Sequence, residues 1–137
     1  MTLTVFLAGP LPNLANRRLH WAARAALVRL WREKTFLRTT GAERAQHGGN
    51  GAPWERCRVT LTVRLLRRWD PDNLAANLKP VVDGLFGLQL GGRWTRRGVL
   101  AGHDGDGQHE IVYRQIVDRT RPGVELLIEE NDERGGS

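Results

Sequence analysis

Sulfur is almost missing from this sequence, which has one cysteine and one methionine. A lone Cys57 excludes an intrachain disulfide and a cysteine-based zinc site. It falls in an alternating apolar run, where a small core residue is expected. Lysine is nearly as scarce. Of 21 basic residues only Lys34 and Lys79 are lysines, an excess of arginine that a GC-rich coding bias produces without function, and one that makes Lys79 conspicuous. No apolar run has the length of a signal sequence or a membrane span, so a cytoplasmic protein with no membrane partner is expected. The four histidines (His20, His47, His103, His109) are scattered and none pairs at zinc spacing. Nucleotide-binding glycine loops, a Ser-His-Asp order and a nucleophilic cysteine context are also absent.

What is present suffices for one domain: 137 residues, 40% of them hydrophobic, enough for one core and against global disorder. The net charge of +6 is unevenly spread. Residues 1–69 hold 13 Lys and Arg against 3 Asp and Glu, whereas residues 70–110 and 111–137 each hold 4 against 6. A basic first half joined to an acidic centre fits a polyanion-binding surface around a cation site.

Hydrophobic periodicity places the elements. Thr2 to Ala8 predicts a short strand stopped by Gly9-Pro10. From about Leu19 to Leu37 the pattern is helical, with Leu27, Leu30, Trp31 and Leu37 near one face and Arg29 and Arg32 on another. Gly41 to Pro53 reads as a flexible loop. Cys57, Val59, Leu61, Val63 and Leu65 alternate with polar residues as a half-buried strand does. Leu74, Leu78, Val81, Val82 and Leu85 then recur at helical spacing between Asn73 and Phe86. Pro80 leaves two possibilities there: a kinked helix throughout, or a regular helix starting near Lys79 after an irregular entry. Gly87 to Gly98 reads as a mobile basic aromatic loop and Val99-Leu100 as a brief strand. His109 to Val117 and Val124 to Ile128 read as a hairpin turning at Arg121-Pro122-Gly123, and the chain from Glu129 as a frayed tail. Together these predict an α+β domain, a small mixed sheet of about four to five strands with two main helices packed on it.

The chemistry concentrates between Arg67 and Leu85. Asp70 and Asp72 flank Pro71 where the strand gives way to the helix, and on an extended backbone they face one point. Two carboxylates that close repel unless a cation sits between them, and Mg²⁺ suits such a pair. The alternative is a turn with Asp72 as an N-cap. On an ideal helix Asp72, Lys79 and Asp83 fall within about 20° of one line. A second pair, Asp104 and Asp106, ends another apolar run. It is either a glycine-rich turn or a further supply of metal-binding oxygens, since the EF-hand positions that follow carry glutamines. Lys79 would place a fixed positive charge at a developing oxyanion or hold an attacking water. His103 adjoins Asp104 as a supporting residue. His20, beside Trp21, is either a phosphate contact or a helix-start residue. Trp69 and Trp94 are candidates for stacking on unpaired bases, with core packing the default for Trp69.

The string Arg67-Arg68-Trp69-Asp70-Pro71-Asp72-Asn73-Leu74, followed by Lys79-Pro80 and Asp83-Gly84-Leu85, resembles the core motif of the RusA family of Holliday-junction resolvases, many of them prophage-encoded. Asn13 to Trp21 resembles the family's entry into its first helix, and Gly98-Val99-Leu100 leading to Asp104 its later acidic strand end. The resemblance implies an endonuclease domain over residues 1–130 with a flexible tail at 131–137. It further implies a homodimer that uses Mg²⁺, with Mn²⁺ as a substitute, to make paired nicks in a four-way DNA junction. Carried over, Asp70, Asp72 and either Asp104 or Asp106 are the metal-binding acids, Lys79 is the essential lysine and Asp83 supports it. Asn16, Arg17, Arg18, His20, Arg67, Arg68, Arg93, Trp94, Arg96 and Arg97 would contact DNA. Lys79 stands about one helical turn further from Asp72 than in the family's shorter motif, and the family's adjacent later acids are here separated by Gly105. Two other functions fit the residues: a metal-dependent nuclease on other branched or single-stranded DNA, and a non-catalytic nucleic-acid-binding module.

Overall fold

The computed structural model describes residues 1–14, 20–49, 53–90 and 93–131. Within them the chain is α+β. Strand β1 (Thr2–Ala8) leads to helix α1 (Trp21–His47), strand β2 (Cys57–Leu65), helix α2 (Pro71–Phe86), strands β3 (Gly87–Leu90) and β4 (Arg93–Arg97), and strands β5 (Glu110–Val117) and β6 (Gly123–Glu130). One sheet has the order β1-β6-β2-β5, and β3 and β4 form a separate antiparallel ribbon. In β2 the alternation works as expected: Cys57, Val59, Leu61, Val63 and Leu65 are buried and face the helices. Burial pushes the Cys57 thiol up to about 12, as suits a core residue.

The expected hairpin between residues 109 and 128 does not form. β5 pairs in parallel with β2, Leu61 opposite Tyr113, while β6 lies between β1 and β2 and is antiparallel to both. Val124, Leu126 and Ile128 of β6 are completely buried, so the strand belongs in the middle of the sheet. The 118–122 turn therefore steps over the end of β2. Asp118 holds it there, its backbone N–H donating to Leu65 O and its carboxylate accepting from Arg64 of β2 at 2.6 Å. A parallel pair needs a crossover connection, and the β2-to-β5 path contains α2.

Further expectations are corrected. Residues 41–47 are the last turns of α1 and not a loop: Gln46 Nε2 donates to Thr4 O and His47 Nε2 to Thr2 O, tertiary bonds that outweigh the cost of Gly41. The helix ends at Gly48, in the left-handed region at φ 83°. Its buried face is Trp31, Thr35, Phe36 and Thr39, whereas Leu30 and Leu37 are more than half exposed. Residues 87–90 and 93–97 are the strands β3 and β4 and not a mobile loop, residues 91 and 92 lying outside the described residues, and Glu129 and Glu130 extend β6. Residues 132–137 lie outside the described residues. Val99-Leu100 supplies only a single bridge, Leu100 to Trp54. α2 runs regularly from Pro71 through a buried Pro80, which excludes the irregular entry. Among the described residues no helix is long and apolar enough to cross a membrane.

Helices α1 and α2 cross at Gly84, where an added Cβ would come within 2.5 Å of Arg32 O and 2.8 Å of Thr35 Cβ. Gly84→Ala is therefore expected to destabilise the fold by about 1–3 kcal/mol through overpacking, measured as a lower denaturation midpoint with an unchanged m-value. Asp118 carries a second expectation. Its carboxyl is held well below its ordinary 3.8 by the Thr120 hydroxyl and N–H and by Arg64. A depressed pKa stabilises the fold above the ordinary value and loses that contribution as pH falls through the acidic range. Melting temperatures measured from pH 6 down to pH 2 should therefore fall less steeply for Asp118→Asn than for wild type.

Candidate functional site

α2 carries the site because its other face is buried. Leu74, Leu78, Val81, Val82 and Leu85 are all at most 4% exposed, which turns Asp72, Lys79 and Asp83 toward the opposite, accessible side as one stripe. Asp70 is the N-cap residue of the helix, extended at φ −61° and ψ 146°, and Pro71 begins the helix. The backbone is thus helical at Asp72, and the extended geometry that would aim both carboxylates at one point does not extend that far. Neither carboxylate makes a hydrogen bond or ion pair among the described residues, and Asp70 makes no side-chain cap. Both are exposed at the positive end of the helix dipole. Just upstream, Gln115 of β5 clamps Trp69, accepting from its N–H at 2.9 Å and donating to its carbonyl at 2.8 Å. Trp69 itself packs against the core.

Lower on the stripe, Lys79 Nζ donates to Asp83 Oδ1 at 2.9 Å and to Asp104 Oδ2 at 2.5 Å. Burial pulls the ammonium's pKa down, but the hydrogen bonds to Asp104 and Asp83 outweigh it and leave the pKa raised. Lys79 therefore stays charged throughout the neutral range. With Arg32, Trp94 and His103 these groups line a cavity of about 310 Å³. Trp94 and His103 face each other at 5.9 Å between centroids, and the Arg97 guanidinium lies 4.2 Å from the Trp94 ring centre. Arg97 also donates to Gly102 O at 2.7 Å. The loop carrying Asp104 is thereby tied to both α2 and β4.

The two acid pairs are not gathered into one cluster. A rise of ~1.5 Å per residue puts Asp72 roughly 10 Å along the axis from Lys79, the residue that Asp104 pairs with. Asp106 turns back into its own loop, accepting from the N–H groups of His103 and Gln108, both at 2.9 Å, and these bonds lower its pKa. Among the described residues no group of three His, Cys, Asp or Glu side chains is placed to hold a metal ion. The donor chemistry of Asp70 and Asp72 does fit Mg²⁺, which keeps several waters and takes one or two carboxylates together with substrate phosphates.

The basic residues divide similarly. Arg93, Arg96 and Arg97 lie exposed on β4, Arg96 over the Phe36 ring. Arg67 and Arg68 are exposed just before Trp69. His20 is the N-cap of α1, accepting from Ala22 N at 3.2 Å with its ring tilted against Trp21. Asn16, Arg17 and Arg18 lie outside the described residues.

Sequence reasoning missed Tyr113, Gln115 and Asn77. Tyr113 stands beside the site: burial, then the nearby Asp104 carboxylate, raise its pKa. Its neighbourhood is visible only once β5 is known to lie alongside β2. Asn77 is 1% exposed and accepts from Leu14 N at 2.8 Å, fastening the entry segment to α2. A lone asparagine within an apolar helical run was the available signal.

Comparison with models of known protein families, with curated proteins and with solved structures found no match in any of the three.

Removing the Lys79 charge should free the acidic loop. Lys79→Met is expected to speed amide exchange at residues 103–108 by up to about fivefold, the scale of an accessible ion pair of ~0.2–1 kcal/mol. Hydrogen-exchange mass spectrometry measures this.

Proposed function

We propose that this protein is a divalent-metal-dependent endodeoxyribonuclease that resolves four-way DNA junctions by paired nicks, acting as a homodimer in the cytoplasm. The observation that supports this reading best is the arrangement along α2. Two carboxylates without a partner among the described residues, Asp70 and Asp72, stand at its start, and Lys79, charged throughout the neutral range, stands on the same face. Asp70 and Asp72 would hold Mg²⁺ or Mn²⁺, which when bound supplies a hydroxide-generating Lewis acid and neutralises phosphate charge. Lys79, oriented by Asp83 and Asp104, offers a fixed ammonium to a phosphate oxygen. Arginines 93, 96 and 97, with Arg67 and Arg68, supply cations for backbone phosphates, and Trp94 a surface for an unpaired base.

One observation favours the second reading, a nucleic-acid-binding module without catalysis. Asp104 gives one carboxylate oxygen to Lys79 and Asp106 gives both of its oxygens to backbone N–H groups, so neither is a free third carboxylate beside Asp70 and Asp72.

Cleavage of a synthetic four-way junction with and without Mg²⁺ separates the two. Asp70→Asn or Asp72→Asn is expected to lower cleavage by about 10²–10³-fold. Junction binding should be retained or strengthened, because a negative charge near phosphates has been removed. Full cleavage by both variants, or salt-dependent binding with no Mg²⁺-dependent product from wild type, would overturn the nuclease reading. Parallel assays on flap and linear duplex distinguish a junction resolvase from a nuclease with another branched or single-stranded substrate.

A further inference from the structure

The two borders of the main sheet are treated differently. On the β1 side, α1 reaches over the border: Gln46 donates to Thr4 O at 3.2 Å, His47 to Thr2 O at 2.7 Å, and Lys34 to Ala8 O. Three carbonyls of that border are thus occupied by side chains. On the opposite side β5 has only β2 as a neighbour, and among the described residues no group meets its outer backbone edge. The outer edge of this eight-residue strand, with Tyr113, Ile116 and Val117 each more than a third exposed, makes a surface on which another strand can pair.

We infer that the occupant of this edge is a second copy of the same chain, paired antiparallel through β5 about a two-fold axis at Val112. The sequence of the strand selects both partner and register. An antiparallel pair related by a two-fold axis has that axis perpendicular to the sheet, so each residue meets one from the same face of its partner strand. On the helix-covered face β5 presents Ile111, Tyr113, Gln115 and Val117, in register with the buried residues of β2; Glu110, Val112, Arg114 and Ile116 lie on the other face. Centred on Val112, the register sets each Glu110 opposite an Arg114 and each Ile111 opposite a Tyr113. Both are stabilising cross-strand pairs, an opposite-charge pair and an aromatic–β-branched pair. Centring on Arg114 opposes two like charges, and centring on Tyr113 leaves Glu110 facing Ile116. Glu110 also lies 3.8 Å from Arg58 of its own chain, which keeps its carboxylate on that face.

The axis keeps both pairs of helices on one side of a continuous eight-stranded sheet. Both candidate sites then face the same way, and each Tyr113, beside Lys79 and Asp104, packs against the partner's Ile111. This inference names the surface for the homodimer of the nuclease reading, but it stands on strand geometry. Its test contains neither DNA nor metal, so it succeeds or fails separately from cleavage.

The test is sedimentation equilibrium of the full chain from micromolar to near-millimolar concentration. Wild type should dimerise. Glu110→Arg and Arg114→Glu, each alone, should weaken the dimer by about tenfold, because symmetry doubles each cross-strand change. The double variant should recover affinity close to wild type. Arg114→Glu is the safeguard should Glu110→Arg disturb the fold through Arg58. Val112→Cys should form a disulfide-linked dimer under mild oxidation, opposed residues at the axis being within disulfide range. A monomer throughout, a dimer indifferent to both single charge reversals, no recovery in the double variant, or no link through position 112 would overturn the inference.

Discussion

The seating of α2 on the sheet is the constraint from which the rest follows. Leu78, Val81 and Leu85 are fully buried against a β2 whose Val59, Leu61 and Val63 are equally inaccessible. This contact fixes the rotation of the helix, and with it the direction taken by every polar residue on the remaining arc. Gly84 lets α1 approach to backbone distance on one flank. Gln115 pins the chain at Trp69, immediately before the helix begins. A helix held at its start, its middle and its flank has little freedom to roll. The alignment of Asp72, Lys79 and Asp83 is therefore a property of the core, although none of the three belongs to it.

This explains why some of the architecture was legible in the sequence and some was not. β2 and α2 have strong periods, two residues in one and three to four in the other, and they appear where the pattern puts them. The stripe along α2 followed from helix geometry alone, Pro80 notwithstanding. Partnership was another matter. The Arg121-Pro122-Gly123 turn looks like a hairpin turn, but which strand lies beside β5 is decided by the buried apolar side chains of β6, which need a neighbour on both edges. The extension of α1 through Gly41 was hidden for a similar reason: the bonds that hold its last turns go to β1, some forty residues earlier in the chain. The acids show the same limit. Spacing locates Asp104 and Asp106 at the end of an apolar run, but it cannot say that one turns to Lys79 and the other to its own backbone.

The electrostatics divide the molecule along the same lines. Arginines dominate the first half of the chain and the β4 ribbon, whereas the acids cluster at the start of α2 and in the loop that ends near His109. Where the groups meet they neutralise each other locally, as Lys79 does with Asp83 and Asp104. Asp70 and Asp72, by contrast, have no cationic side chain paired with them among the described residues and stand beside the positive end of a helix. In the function proposed above, that negative spot within a basic protein is where a divalent cation would sit, and the surrounding arginines are what a polyanion would meet.

The side chains that α1 lends to the rim of β1 have a consequence for assembly. A sheet open at both margins can add strands without limit, as fibres do. Here Lys34, Gln46 and His47 close one margin, so a copy joined at the other brings its own closed margin to the far side. In the dimer inferred above, growth would end at two, and the same three contacts that finish the fold would also count its members.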